Sequence, residues 1–206
     1  MVLTNDTNNP PPPVLLVVDL QQGLVEGFSG DGERRSTPDL TSNVEKLLSY
    51  WRKHEWPLIH IHHDALDPKE PLNMGRYPEN CIAHACSAPL DGESVLVKHV
   101  GSAFTDPSLK LEERLRELGG QEVVVIGMDG AQCINDNARG ASERGFKVTV
   151  IADACASYGM RHFMAYGRTY NPEETHDAAM SMLANGFANV ICTEEFLDEY
   201  AKDYRS

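Results

Sequence analysis

The distribution of apolar residues along the chain falls into short, unbroken runs separated by stretches with a helical repeat. Val14 to Val18 is wholly apolar, as expected of a strand buried on both faces. Leu58-Ile59-His60-Ile61, Val95-Leu96-Val97, Val123 to Ile126, Lys147 to Ile151 and Asn189 to Cys192 give five further strand-length segments. Between them lie helical patterns. Pro38 to His54 carries Val44, Leu47, Leu48 and Trp51 on one stripe, with Thr37 and Pro38 reading as N-cap and first helical residue. A helix opening at Asp106-Pro107 places Leu109, Leu111, Leu115 and Leu118 before a stop at Gly119-Gly120. Ile134, Ala138 and Ala141 share one face of a helix that follows Cys133 and ends at Arg144-Gly145. Pro172 to Ala184 and Glu194 to Tyr204 complete the set. Strands alternating with helices predict βαβ units. The fold class is therefore three-layer α/β/α, Rossmann-like, with a mostly parallel sheet of about six strands.

Two stretches break the alternation. Met1 to Pro13 is polar and ends in four prolines, as expected of a flexible tail before a domain spanning 14 to 206. It has neither a basic nor an apolar segment of the secretory kind. Asp67 to Glu93 holds four prolines, two cysteines and no clear period. A loop of that length in a compact domain usually serves a site or an interface.

The net charge of −13 over 206 residues argues against nucleic acid or an acidic membrane as partner, since both call for basic surface. The five cysteines are odd in number and scattered, and no zinc spacing is complete. They read as free thiols of a reducing compartment, and a cytoplasmic location is expected. No apolar run is long enough to span a membrane.

Ligands of open parallel sheets bind outside the carboxyl ends of the strands. Three reactive side chains are predicted there: Asp19 after the first strand, Lys98 after the third and Cys133 after the fourth. Cys133 follows Gly127-Met128-Asp129-Gly130-Ala131-Gln132 and sits at a helix start, where unpaired N–H groups favour a thiolate. Each also has a plain alternative: a core thiol, an N-cap carboxylate, a solvated lysine. Phe28, His63, Phe104, Gln132 and Tyr158 lie in loops at the same edge, with Gln21 beside Asp19, and are candidate substrate contacts.

These motifs, with Val150 to Ala156, His176-x-Ala178-Ala179 and Val190-x-Cys192-Thr193, resemble the isochorismatase-like cysteine hydrolases over roughly Val14 to Phe196. That superfamily includes nicotinamidases, carbamoylsarcosine- and biuret-type amidohydrolases and isochorismatases. The resemblance implies that Cys133 attacks a carbonyl carbon, that Asp19 moves the proton and that Lys98 holds the pair. It implies a cis peptide at Met128–Asp129, an oxyanion hole from the amides of Asp129 and Cys133, and a thioester intermediate. It also implies a homodimer or homotetramer acting on a small-molecule substrate.

Two departures are visible. Nicotinamidases bind a metal through an Asp-x-His motif; Asp64 fits its first position, but Leu66 replaces the histidine. His60 and His62 point to one side of an extended strand and His63 to the other. No metal or other cofactor is therefore expected. Gly130-Ala131-Gln132 replaces the family's usual Thr-Asp-Tyr-like segment. The presence of Cys133 favours cleavage of an amide or carbamoyl C–N bond. An enol-ether hydrolase forming 2,3-dihydroxy-dihydrobenzoate and pyruvate would need Asp19 alone and stays open, as does a non-catalytic binding protein on this fold.

Overall fold

In a computed structural model the described residues are 11–28, 34–164, 167–198 and 201–202. The tail expected over Met1 to Pro13 lies, up to Pro10, outside them. Strand β1 (Val14–Val18) leads into the short helix α1 (Gln22–Glu26). Helix α2 (Leu40–Lys53) and strand β2 (Leu58–His63) follow, then α3 (Pro78–Cys81) and β3 (Ser94–Lys98). Next come α4 (Leu111–Glu117), β4 (Glu122–Gly127), α5 (Cys133–Glu143) and β5 (Lys147–Cys155). A two-stranded ribbon, β6 (Met160–Arg161) with β7 (Thr169–Tyr170), precedes α6 (Pro172–Ala184), β8 (Asn189–Ile191) and α7 (Thr193–Asp198). The predicted continuation of the last helix to Tyr204 falls largely outside the described residues.

The main sheet has the order β3-β2-β1-β4-β5-β8, and every pairing is parallel. β1 and β4 sit at its centre, so their carboxyl ends open onto the point where the strand order reverses. Alternation along β1 divides the core. Leu16 and Val18 pack with Ile134, Ala138, Ala141 and Leu183, under α4, α5 and α6. Leu15 and Val17 pack with Leu47, Trp51 and Phe196, under α1, α2 and α7. Both faces of the sheet are covered, which is why its strands read as continuous apolar runs.

Three local readings are corrected. Thr37 has a φ of 54° and does not cap α2; Asp39 precedes the helix instead. The helix expected from Asp106 begins only at Leu111. The Asp106 carboxylate accepts from the backbone N–H of Ser108, and Lys110 adopts the left-handed conformation. An aspartate that hydrogen-bonds its own downstream backbone competes with helix formation. β5 runs four residues past Ile151 to Cys155 and pairs Gly127 with Cys155 beyond a bulge. That extension carries the strand end up to the loop before Cys133.

The irregular 67–93 connection is tied down by one carboxylate. Glu93 accepts from Arg52 at 2.8 and 2.9 Å, from the Leu90 N–H at 2.9 Å and lies 2.9 Å from His60 Nε2. Burial would push the Glu93 pKa up, but the Arg52 guanidinium and the other donors outweigh it and hold it at about 2. The folded pKa is thus below the unfolded one. The stabilisation is complete above the ordinary carboxylate range and disappears as pH falls through it towards about 2. Glu93→Gln is expected to lower unfolding free energy at neutral pH by about 2 kcal/mol and to flatten the acid limb of the stability curve. Urea melts of both proteins between neutral and acid pH check this; parallel acid limbs would contradict it.

Candidate active site

β1 ends at Val18, and Asp19 turns sharply with a φ of 51°, its N–H donating to Ile61 O at 2.7 Å. Aspartate tolerates this left-handed conformation better than most residues. Its carboxylate is fully buried. Lys98, at the end of β3, is also fully buried and extends over β2 to place Nζ 2.7 Å from Asp19 Oδ2. Lys98 also donates to Cys133 Sγ at 3.3 Å. Its remaining neighbour is His63, paired with it across the β2–β3 register, with Nδ1 at 3.3 Å from Nζ. An ammonium has only donors, so Nδ1 accepts and the His63 proton sits on Nε2. Sequence-predicted Asp19, Lys98 and Cys133 are therefore brought together by three different strand ends.

The loop between β4 and α5 holds the thiol. Gly127 has a φ of 128°, and a Cβ there would lie 1.9 Å from Val18 O, so only glycine fits. The Met128–Asp129 peptide is cis. The Asp129 carboxylate accepts from Ala131 N–H at 2.7 Å and Tyr158 N–H at 2.9 Å, and its carbonyl accepts from Gln132 and Ile134. Cys133 then opens α5. The amides of Asp129 and Cys133 donate to no carbonyl among the described residues. Behind the loop, Ser157 Oγ lies 3.4 Å from His176 Nδ1, and His176 Nε2 is 3.0 Å from Ala152 O. A Cβ on Gly130 would meet Ser157 Oγ at 2.5 Å. In the sequence His176 stands only as part of a motif and Ser157 is unmarked; neither bears a local signal of its packing against this loop.

The electrostatics correct one expectation. Burial pushes the Cys133 thiol up, the Asp19 charge adds to it, and Lys98 opposes; the result is a pKa of about 12. The resting group is a thiol, not the thiolate that a helix start alone suggests. Burial would discharge Lys98, but the Asp19 carboxylate, with the contact to the Cys133 sulfur, outweighs it and raises its pKa, so it stays an ammonium. Burial and the nearby Lys98 charge lower the His63 pKa and keep it neutral.

A cavity of about 520 Å³ opens onto Asp19 and Cys133. Phe28, His63, Gln132 and Tyr158 line it, as do Leu24, Glu70 and Leu72. Tyr158 is anchored by its hydroxyl, which donates to Leu24 O. Two expected substrate contacts do not reach it. Gln21 is fully buried, its amide spent on the carbonyls of His63 and Cys81 and on the His63 N–H; it fastens the β1, β2 and α3 ends together. Phe104 packs on the Gly140 face of α5, against Phe146 and under the Arg144 guanidinium. Among the described residues no group of three His, Cys, Asp or Glu is placed to hold a metal. His60 is engaged with Glu93, Asp64 accepts from Met74 N–H, and Leu66 is exposed, so the nicotinamidase-type metal set does not fit. Cys155 is fully buried, and burial pushes its pKa to about 12. No described helix is long and apolar enough to cross a membrane.

The parallel sheet, the cavity at its carboxyl edge and a thiol held against a buried ion pair define a three-layer α/β protein that keeps its chemistry at the strand ends. Within that class the chain belongs to the isochorismatase family of hydrolases: residues 13–195 match the isochorismatase domain. It is 31% identical over 188 residues to the isochorismatase family protein YddQ of Bacillus subtilis, covering 89% of this chain and 97% of that one. It is 27% identical over 198 residues to Nicotinamidase 3 of Arabidopsis thaliana, covering 89% and 86%. Among solved structures, an isochorismatase from Pseudomonas putida KT2440 superposes with a TM-score of 0.73 at 26% identity, covering 90% of this chain and 92% of that one.

Proposed function

We propose that the protein hydrolyses the C–N bond of a small amide or carbamoyl compound, with Cys133 as nucleophile. The observation that carries this reading is the buried cluster itself, a thiol bonded to Lys98 at 3.3 Å with Asp19 paired to the same ammonium at 2.7 Å. An enol-ether hydrolase needs a carboxylate but has no use for a thiol in that position.

In the proposed mechanism the Cys133 proton passes to Asp19 as sulfur attacks the carbonyl carbon. The oxyanion that forms is received by the free amides of Asp129 and Cys133. Asp19 then returns the proton to the leaving nitrogen, the C–N bond breaks and a thioester remains on Cys133. Water attacks the thioester, giving its proton to Asp19, and the departing sulfur is reprotonated as the carboxylic acid leaves. Lys98 stays paired with Asp19 between these transfers and lowers the cost of charge on sulfur.

Because the resting thiol has a pKa of about 12, its activation belongs to the step in which substrate is bound. The free protein is therefore expected to react slowly with iodoacetamide at Cys133 near neutral pH, with a rate that keeps rising through pH 9 instead of levelling off there. Mass spectrometry of the Cys133 peptide checks this. A plateau below about pH 8 would show a preformed thiolate.

The function itself is tested by ammonia release from a panel of primary amides and carbamoyl compounds, with isochorismate as comparison. Release from an amide is the expected result. Cleavage of isochorismate alone, undiminished in Cys133→Ala, would establish the other chemistry.

A further inference from the structure

The cavity has an unbalanced charge. Asp19 is neutralised by Lys98, whose ammonium is enclosed by Asp19, Cys133 and His63 and does not line the cavity. Asp129 is occupied by two backbone amides. No lysine or arginine lines the cavity among the described residues. What remains is Glu70. Among the described residues no donor or cation binds its carboxylate, and its chain neighbour Lys69 does not line the cavity.

Glu70 is solvent-exposed, at the rim of the cavity, and its backbone is held in place. The 64–74 segment closes on itself. Ala65 N–H donates to Leu72 O, Asn73 Nδ2 to Ala65 O, Met74 N–H to the Asp64 carboxylate and Glu70 N–H to Asp67 O. The closed loop carries Glu70, Pro71 and Leu72, which line the cavity together with Leu24 and Phe28. The site thus offers an apolar wall, one unpaired carboxylate and a neutral histidine. A substrate carboxylate would find no cation to replace its lost hydration, whereas an ammonium or amidinium would find Glu70.

The geometry points to Glu70 as a specificity-determining residue that selects amides bearing a positive charge, with neutral analogues next and carboxylates last. This refines the amide-hydrolase reading and rests on it for the identity of the reacting bond. It also counts against isochorismate, a dicarboxylate.

The charge preference can be read without turnover. In a Cys192→Ser background the exposed thiol is removed, and Cys81, Cys86 and Cys155 are buried. Two methanethiosulfonates, one with a trimethylammonium tail and one with a sulfonate tail, are then compared at Cys133 by mass spectrometry. Each forms a disulfide with the cysteine sulfur and releases methanesulfinate, the thiol proton going to solvent. Relative to free 2-mercaptoethanol, the cationic reagent is expected to be favoured at least about tenfold at low salt, and about 1 M salt should erase most of that preference. Glu70→Gln should reduce the ratio several-fold, and Glu70→Lys should reverse it. A wild-type ratio equal to that of the free thiol, a preference for the sulfonate, or a ratio indifferent to both Glu70 variants would overturn the assignment. In parallel, kcat/KM should fall in the order 4-aminobutyramide, butyramide, succinamate. Absence of any amide turnover with the labelling ratio intact would reject the hydrolase reading and leave the charge selection of the cavity standing; turnover with succinamate preferred would reject the selection.

Discussion

Cys133→Ala is expected to lower kcat/KM on a small amide by roughly 10⁴-fold or more, with little change in thermal stability. In the proposed mechanism every bond change passes through the sulfur, so no weaker route of comparable rate remains once it is gone. The side chain is small and borders the cavity, so its removal leaves a void continuous with solvent, not a sealed one. Cys133→Ser is expected to do nearly as poorly. Its hydroxyl is a weak nucleophile at its free pKa, and the base the mechanism assigns to it, Asp19, is a carboxylate paired to Lys98 at 2.7 Å. Steady-state kinetics with calorimetric melting of the three proteins test this. Loss of activity accompanied by a large fall in melting temperature would point to a structural thiol instead.

Lys98→Met is the second large effect, and it acts on stability as well as rate. The substitution keeps the stem that crosses β2 but removes the charge, leaving the fully buried Asp19 carboxylate without a partner. Breaking one side of a buried ion pair typically costs about 3–5 kcal/mol. For a chain of this size that corresponds to a fall of roughly 10 °C in melting temperature. The double variant Asp19→Asn/Lys98→Met is expected to recover much of the lost stability, since the stranded charge is gone, and none of the activity. That pattern separates a structural cost from a chemical one. A Lys98→Met protein that melts with wild type would show that Asp19 is not carried as a buried carboxylate.

Much of this arrangement was legible in the chain. The apolar runs at Val14 to Val18 and Val123 to Ile126 are consistent with strands buried on both faces, and the alternation of strands with helices makes the sheet parallel, which puts Asp19, Lys98 and Cys133 at one edge. What strand ends do not specify is the direction in which nearby loop residues face. Gln21 and Phe104 lie at the correct edge, yet one is consumed in cross-linking backbones and the other packs on the far side of α5. Glu70 and Leu72 were invisible for the opposite reason. Their place at the cavity depends on a loop closed by hydrogen bonds between Ala65 and Leu72 and between Asp64 and Met74, and no periodicity announces such a closure. The protonation state of Cys133 was also beyond local reading. A helix start favours a thiolate, but burial beside Asp19 outweighs it, and burial is a property of the whole fold.

The central claim is that Cys133 forms a bond to the substrate's carbonyl carbon. It is tested most directly by acid-quenching the protein during turnover of a primary amide and weighing the peptide that carries Cys133. A mass increase equal to the acyl group, found in wild type and absent in Cys133→Ala, is the predicted result. Sustained turnover with no acyl adduct on Cys133 at any quench time, and a Cys133→Ala protein of undiminished rate, would contradict it.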